Sequence, residues 1–384
     1  MKGNKFLSVS LAAVLVLLFI FVTVQIPVAH QSIKNLPMAL VNEDSGEMGQ
    51  TFVDMIQEQT KAMQTEEDPM FEWMELETEQ KMEEEMANQT FYGAIAIPAD
   101  YSEKYASLQS PEPSSPELHL YINEGKNATV ANIISQSLTG MISQMNQMMS
   151  EQILSDMEEN NVSLTSEQSR IYSSPIKYTT TMLNEIGTLG NAPLSLFQPI
   201  WIASLAGAAL LWMAGRNRIF TTATEQLKFR GIQVLISVAL GFLAGFSLTW
   251  FTTLMLGYEF ESFFNVALFL SIASIGFILL ILATISWIGI GGIAIFALLM
   301  FFGLPLLQLA PEMLPSFYND WIYPWLPMRF MFDGLREILF FNGSVWNSSA
   351  IVLIWIAVIT SILLFVKSWV PSRTEKIREA TNEK

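Results

Sequence analysis

The sequence predicts an α-helical polytopic membrane protein of six spans, with an α/β extracytoplasmic domain inserted between spans one and two. Three observations predict it. Six apolar runs approach the roughly 20 residues that a helix needs to cross a bilayer core. Charge is partitioned along the 384-residue chain: residues 29–193 carry 26 acidic and 7 basic side chains, whereas the remainder carries 10 and 13. Finally, 11 of those 13 bases fall in three clusters that six crossings would place on one side.

Taken in order, the first apolar run is about residues 6–28, entered from Lys2 and Lys5. A cleaved signal peptide is the competing reading. The run is long for such a peptide and has no convincing small-x-small site before His30, so an anchor is preferred. Residues 1–28 thus form a cytoplasmic tip and anchor, 29–193 the acidic domain, 194–370 a bundle of five spans, and 371–384 a cytoplasmic tail. The five spans fall at about 195–214, 231–256, 263–286, 289–310 and 349–368. Only IGIGG at 288–292 separates the third and fourth of these, and glycine permits a tight reversal there. Short loops rich in Lys and Arg stay cytoplasmic. Arg216, Arg218, Lys228 and Arg230, then Lys367, Arg373, Lys376, Arg378 and Lys384, join Lys2 and Lys5 on that side.

Within 29–193, strands are expected at Met38–Val41, Phe91–Ile97, Leu118–Ile122 and, more weakly, Ile171–Tyr178. Helices are expected over 48–64 and 128–157, the second with apolar residues recurring at threes and fours. Its methionine-rich part, 141–157, suits adaptable packing, with metal capture as the minor alternative. The densely acidic run 65–87 reads as ordinary solvent exposure or flexibility, with cation binding as the alternative although its spacing matches no calcium loop, and residues 109–117 read as a solvated hairpin or linker. Asn88, Asn127, Asn161 and Asn347 each open a short glycosylation pattern.

In the bundle, Gly241 and Gly245 form a GxxxG pair for close helix packing, accompanied by the small-residue groups Ser204, Gly207, Ala208 and Ser271, Ser274, Gly276. No ionisable residue lies mid-span, which argues against a proton-coupled pump. The proline-rich stretch 311–345 reads as short helices dipping into the outer leaflet. Pro311, Pro315, Pro324 and Pro327 break it, and Asp333 and Arg336 can share one helix face. Structural anchoring and an outer gate are its two readings. The loop 215–230, with Arg216, Arg218, Glu225, Lys228 and Arg230, is a candidate coupling loop that either lies at the interface or docks a cytoplasmic partner.

Several functions are excluded. There is no cysteine, and the two histidines are far apart, so neither disulfides nor a His/Cys metal site is expected. No phosphate-binding GxxxxGK[ST] loop and no catalytic constellation occurs, so no cofactor and no enzymatic activity is expected. The acidic domain opposes nucleic-acid binding.

LPMALVNEDSG at 36–46, YGAIAIPADYS at 92–102 and the proline-rich stretch ending in DGLRE at 333–337 resemble the YhgE/Pip group of ABC-2-type permease-like membrane proteins. Val41, Asn42, Glu43, Asp44, Ser45 and Gly46 carry its most specific piece. The resemblance covers nearly the whole chain and implies envelope export or remodelling, a homodimer or related permease partner in the bilayer, and a separate ATP-binding subunit. Some relatives serve phage adsorption or specialised secretion and carry a longer insertion than the one here. The expected function is therefore a permease subunit of an ABC-2-type exporter at the cell membrane. A non-transporting envelope scaffold or receptor is the alternative.

Overall fold

The computed structural model describes residues 14–16, 18–19, 22–23, 25–29, 33–62, 69–108, 110, 112–159, 163–216, 218, 220 and 222–369, with backbone only at 59–62. The continuity of the first predicted span, Lys2, Lys5, Asn161 and the basic tail beyond 369 lie outside the described residues. The chain forms two compact units. One is Gln31–Ile186 with Leu309–Leu314; the other comprises Met1–His30, Gly187–Gln308 and Pro315–Lys384.

In the helical unit, residues 14–16, 18–19 and 22–23 are helical and the short helix α1 spans Ile26–Ala29. The α/β unit then supplies β1 (Leu36–Asn42), α2 (Glu47–Ala62), β2 (Phe71–Leu76), α3 (Glu79–Ala87), β3 (Gly93–Ile97), α4 (Tyr101–Ser107), β4 (Glu117–Asn123), α5 (Ala128–Glu159), α6 (Ser166–Tyr172) and β5 (Lys177–Leu183). The sheet order is β2-β1-β3-β4-β5. Only β3 and β4 are antiparallel; the other neighbours are parallel. Both faces are covered, as parallel sheets require. Ala39, Val41, Ala94, Ala96 and Tyr121 form one core with Met82 and Met86 of α3. The other face holds Met38, and a Cβ built on Gly93 would lie 2.9 Å from Met38 Cε and 3.1 Å from Ile134 of α5. Glycine at 93 therefore permits α5 to approach the sheet closely.

Two expectations about this unit are corrected. The acidic run 65–87 is ordered over its described part: Phe71–Leu76 is a strand and Glu79–Ala87 a helix. Met82 and Met86 bury fully at an i, i+4 spacing, and the Thr78 side chain caps the helix by accepting from Lys81 N. Apolar anchors on one face outweigh the charge on the other. The expected strand 171–178 is displaced. Thr165 and Gln168 form a capping box that starts α6, so Ile171 and Tyr172 are helical, and the strand follows at 177–183.

The helical unit continues with α7 (Ala192–Arg216), α8 (Ala223–Leu256), α9 (Phe263–Ile288), α10 (Gly292–Gln308), α11 (Ser316–Trp321), α12 (Pro327–Phe340) and α13 (Ser348–Val366). Among the described residues, four stretches are long and apolar enough to cross a membrane: α7, α8, α9, and α13 with its continuation to Trp369. The break between α9 and α10 falls at Gly289, whose φ of 89° only glycine adopts easily. In α9, 78% of the most apolar window is buried, against 39%, 22% and 28% in the other three, so α9 is the hub. Leu235, Leu243, Leu254 and Met255 of α8 and Trp355 of α13 remain largely exposed. Such a breadth of uncovered apolar side chains has its natural solvent in lipid, and the chain reads as a membrane protein.

Packing around α9 depends on small residues. Gln233, Ser237, Gly241, Gly245 and Thr249 of α8 are buried at a strict spacing of four. A Cβ on Gly245 would meet Ser271 N at 2.5 Å and Ala267 O at 2.6 Å. Ser237, Thr249 and Ser271 satisfy their hydroxyls on carbonyls four residues earlier. Ser204 and Ser274 meet at 3.4 Å. The GxxxG pair is therefore the centre of a longer stripe that brings two backbones together.

Candidate functional site

The chain is irregular after α9, in the helical unit and in Leu309–Leu314, which groups with the α/β unit. α10 has 17 residues, about 25 Å at 1.5 Å per residue, which is short for a bilayer core of about 30 Å. Pro305 interrupts its hydrogen-bond ladder. A 3₁₀ turn at Pro311–Met313, α11, a second 3₁₀ turn at Tyr323–Trp325 and α12 follow. Pro315, Pro324 and Pro327 stand at the starts of these short pieces, where a missing N–H costs least. Pro311 opens the first 3₁₀ turn and groups with the α/β unit, apart from the other three prolines.

α12 is strongly amphipathic. Met328, Met331, Phe332, Leu335 and Ile338 are buried. Gly334 allows the inward packing: a Cβ there would lie 2.3 Å from the Phe269 ring and 3.0 Å from Ser349 Cβ. Asn347 ties the same region together, donating to Gly334 O at 3.3 Å and capping α13 through Ala350 N at 2.9 Å. Beneath α12, Trp201 is fully buried. Its ring meets Phe197, Phe277 and Phe296, Phe197 continues to Phe332, and its indole N–H donates to Phe296 O at 3.2 Å.

Asp333 and Arg336 share the less buried face of α12, as expected, together with Arg329. Asp333 faces Arg329 at 3.8 Å, one helical turn away. Arg329 also lies over the rings of Tyr323 (5.1 Å) and Phe330 (4.9 Å). Arg336 instead donates to Leu307 O at 3.3 Å, placing a cation at the carbonyl end of α10. Arg329 was missed by sequence reasoning, although its i, i+4 spacing to Asp333 was visible. These contacts tie α12 to the Tyr323–Trp325 turn and to the end of α10.

The candidate coupling loop is divided. Thr222 caps α8 through Glu225 N. Arg230 turns into the bundle, donating to Gln233 Oε1 at 2.7 Å and lying 3.5 Å from Ser286 Oγ, while Gln233 donates to Leu211 O at 2.7 Å. Arg230 is thus half-buried and bound to the bundle. Arg218 lies over the Phe229 ring and Arg216 over the Trp212 ring. Glu225 and Lys228 are exposed.

In the α/β unit, the segments 36–46 and 92–102 meet at a knot. The Asp44 carboxylate accepts from Gly49 N at 3.1 Å, Ser102 Oγ at 2.5 Å and Ser102 N at 3.3 Å. Asn42 Oδ1 accepts from Asp44 N, and Ser102 Oγ accepts from Met48 N. Asp44 thereby serves the N-termini of both α2 and α4. A Cβ on Gly46 would sit 2.2 Å from Ser102 Oγ, and one on Gly49 2.6 Å from Asp44 Oδ2, so only glycine fits at either position. Glu43 accepts from Glu79 N at 3.1 Å and links the knot to α3; Ser45 is exposed. Val41 is core. The motif is a folding device.

A second polar cluster joins Leu309–Leu314 to this unit. Tyr92 donates to Glu312 at 2.7 Å. Lys126 stacks on the Tyr92 ring at 3.8 Å and donates to Thr90 O at 2.9 Å. Burial lowers the Lys126 ammonium to about 8, against the opposing pull of Glu312. Of the glycosylation patterns, Asn127 and Asn347 are buried in helix caps, and Asn88 is exposed. Among the described residues, no group of three His, Cys, Asp or Glu side chains is arranged to hold a metal.

No curated protein and no solved structure matches the sequence. Residues 7–361 match a family described as a protein of unknown function, DUF3533. That match spans nearly the entire chain, both units included, and the chain belongs to the DUF3533 family.

Proposed function

We propose that this chain is a membrane permease subunit of an ABC-2-type export system, related to the YhgE/Pip group. In this reading six helices span the cell membrane, the α/β unit lies outside, and both termini are cytoplasmic. A separate subunit binds ATP, and the permease works as a homodimer or with a related permease. One observation carries the reading: a short, proline-interrupted helix followed by amphipathic α12 stands beside long apolar helices whose central stretches hold no charge. Broken helices suit membrane depth where they line a path through protein. Without internal charges, the energy for transport must come from elsewhere. Arg216, Arg218, Glu225 and Lys228 are exposed charges available for docking a cytoplasmic partner.

The test is co-purification with candidate ATPase subunits and measurement of ATP hydrolysis. A stable complex with stimulated hydrolysis, weakened by Lys228→Glu, is the expected result. Failure to associate with any cellular ATPase would sink this reading. The scaffold or receptor alternative is favoured by the ordered, acidic five-stranded unit. Deleting residues 45–190 separates the two: partner capture that survives while export stops rejects the scaffold.

A further inference from the structure

The α/β unit has an open groove of 360 Å³ between α2, α4 and α5. Met48 and Met55 of α2 and Met145, Met148 and Met149 of α5 line it, with Phe52 at its base. Met55 is 38% and Met148 49% exposed, whereas Met145 at 2% lies in the floor. The flanks are acidic. Glu47, Asp54 and Glu58 follow the same side of α2 as Thr51 and Met55, and Glu151 lies one turn beyond Met148; all four are exposed. Asp54 accepts from the Gln50 amide at 3.2 Å and Glu151 from the Gln147 amide at 3.0 Å. Neutral amides orient these carboxylates and leave their charge in place.

We propose that this groove docks a cationic amphipathic helical peptide. Its apolar floor and acidic rim complement a helix with one apolar and one basic face. The stripe from Glu47 to Glu58 runs about 17 Å, or three helical turns, at 1.5 Å per residue. Three turns accommodate anchors at i, i+3 or i+4, and i+7. Unbranched methionines repack around differing anchor shapes, so the groove would accept a class of peptides rather than one sequence. The inference stands apart from the permease reading.

The test uses the full-length protein in nanodiscs of zwitterionic lipid, with empty nanodiscs as the reference. The probe is a fluorescent peptide of Lys and Leu patterned as an amphipathic helix. Its controls are a scrambled peptide of the same composition and a Glu/Leu helix of the same pattern. The Lys/Leu helix should bind, with affinity that falls as salt rises. Met55→Glu with Met148→Glu should weaken it at least about tenfold, as expected for loss of anchoring contacts. Met55→Leu with Met148→Leu should preserve binding. Asp54→Asn with Glu151→Gln should weaken it and reduce its salt dependence. Equal binding of the scrambled or the acidic peptide would overturn the proposal. So would wild-type binding by the Met→Glu pair, or loss of binding in the Met→Leu pair, which would indicate a site for soft metal ions.

Discussion

At the residue scale, Asp44 shows how a short motif can mark folding rather than chemistry. Its carboxylate serves two helix starts at once, and it is only 8% exposed. Asp44→Ala strands buried donors, each costing about 1–3 kcal/mol. The α/β unit of this variant should lose hydrogen-exchange protection in α2 and α4 ahead of the sheet. Protection equal to wild type in both helices would refute the knot. The motif's importance was legible in the sequence as VNEDSG; its partner was not. Ser102 lies 58 positions away, and no local pattern announces that β1 and β3 are neighbours. Lys126 offers a prediction in pH. Its folded value is about 8, below the ordinary lysine value of 10.5. Between those values the unfolded chain binds a proton that the folded chain has released, so the Lys126 contribution to stability rises with pH in that window. The margin of wild type over Lys126→Met in urea unfolding should therefore grow from about pH 7.5 to about pH 10. A margin that shrinks or stays constant would contradict the buried position.

At the element scale, glycines separate tight crossings from open ones. Gly245 faces the backbone of α9, whereas a Cβ built on Gly231 in the same helix would have nothing within 4 Å. Gly231→Ala should raise stability by up to about 1 kcal/mol, the difference in helix propensity. Gly245→Ala should lower it by about 1–3 kcal/mol, the cost of overpacking a close contact. Thermal unfolding in detergent would order the two variants around wild type, and the opposite order would refute this packing of α8 on α9. The long apolar helices could be read from the sequence because their hydrophobic runs are long and bounded by caps or glycine. Strand β2 could not. Phe71–Leu76 reads FEWMEL, without a strict alternation, within a run whose charge density suggests disorder, and its pairing with β1 is a long-range choice. Arg230 escapes sequence reading for a related reason. A basic residue near a helix end is ordinarily solvated, and only the position of Ser286, 56 residues later, shows that it turns inward.

At the scale of the whole molecule, two independent sequence signals support one orientation: the distribution of bases and the number of long apolar runs. Described structure accounts for four candidate spans and one shorter apolar helix, so the sixth crossing depends on the first run. The absence of native cysteine makes the orientation directly measurable. A single cysteine at exposed Asn88 should react with a membrane-impermeant maleimide in intact cells, whereas one at exposed Lys228 should react only after permeabilisation. Both substitutions sit on solvent-facing positions and leave the packed faces of α3 and α8 unchanged. An even number of crossings separates the chain termini from the outer face, so a third cysteine beyond residue 369 should behave like that at 228. If the tail instead labels with Asn88→Cys, the bundle crosses an even number of times, as it does when α10 does not span. If positions 88 and 228 label together, the charge bias does not govern this protein, and the proposed outer face of the α/β unit is lost with it.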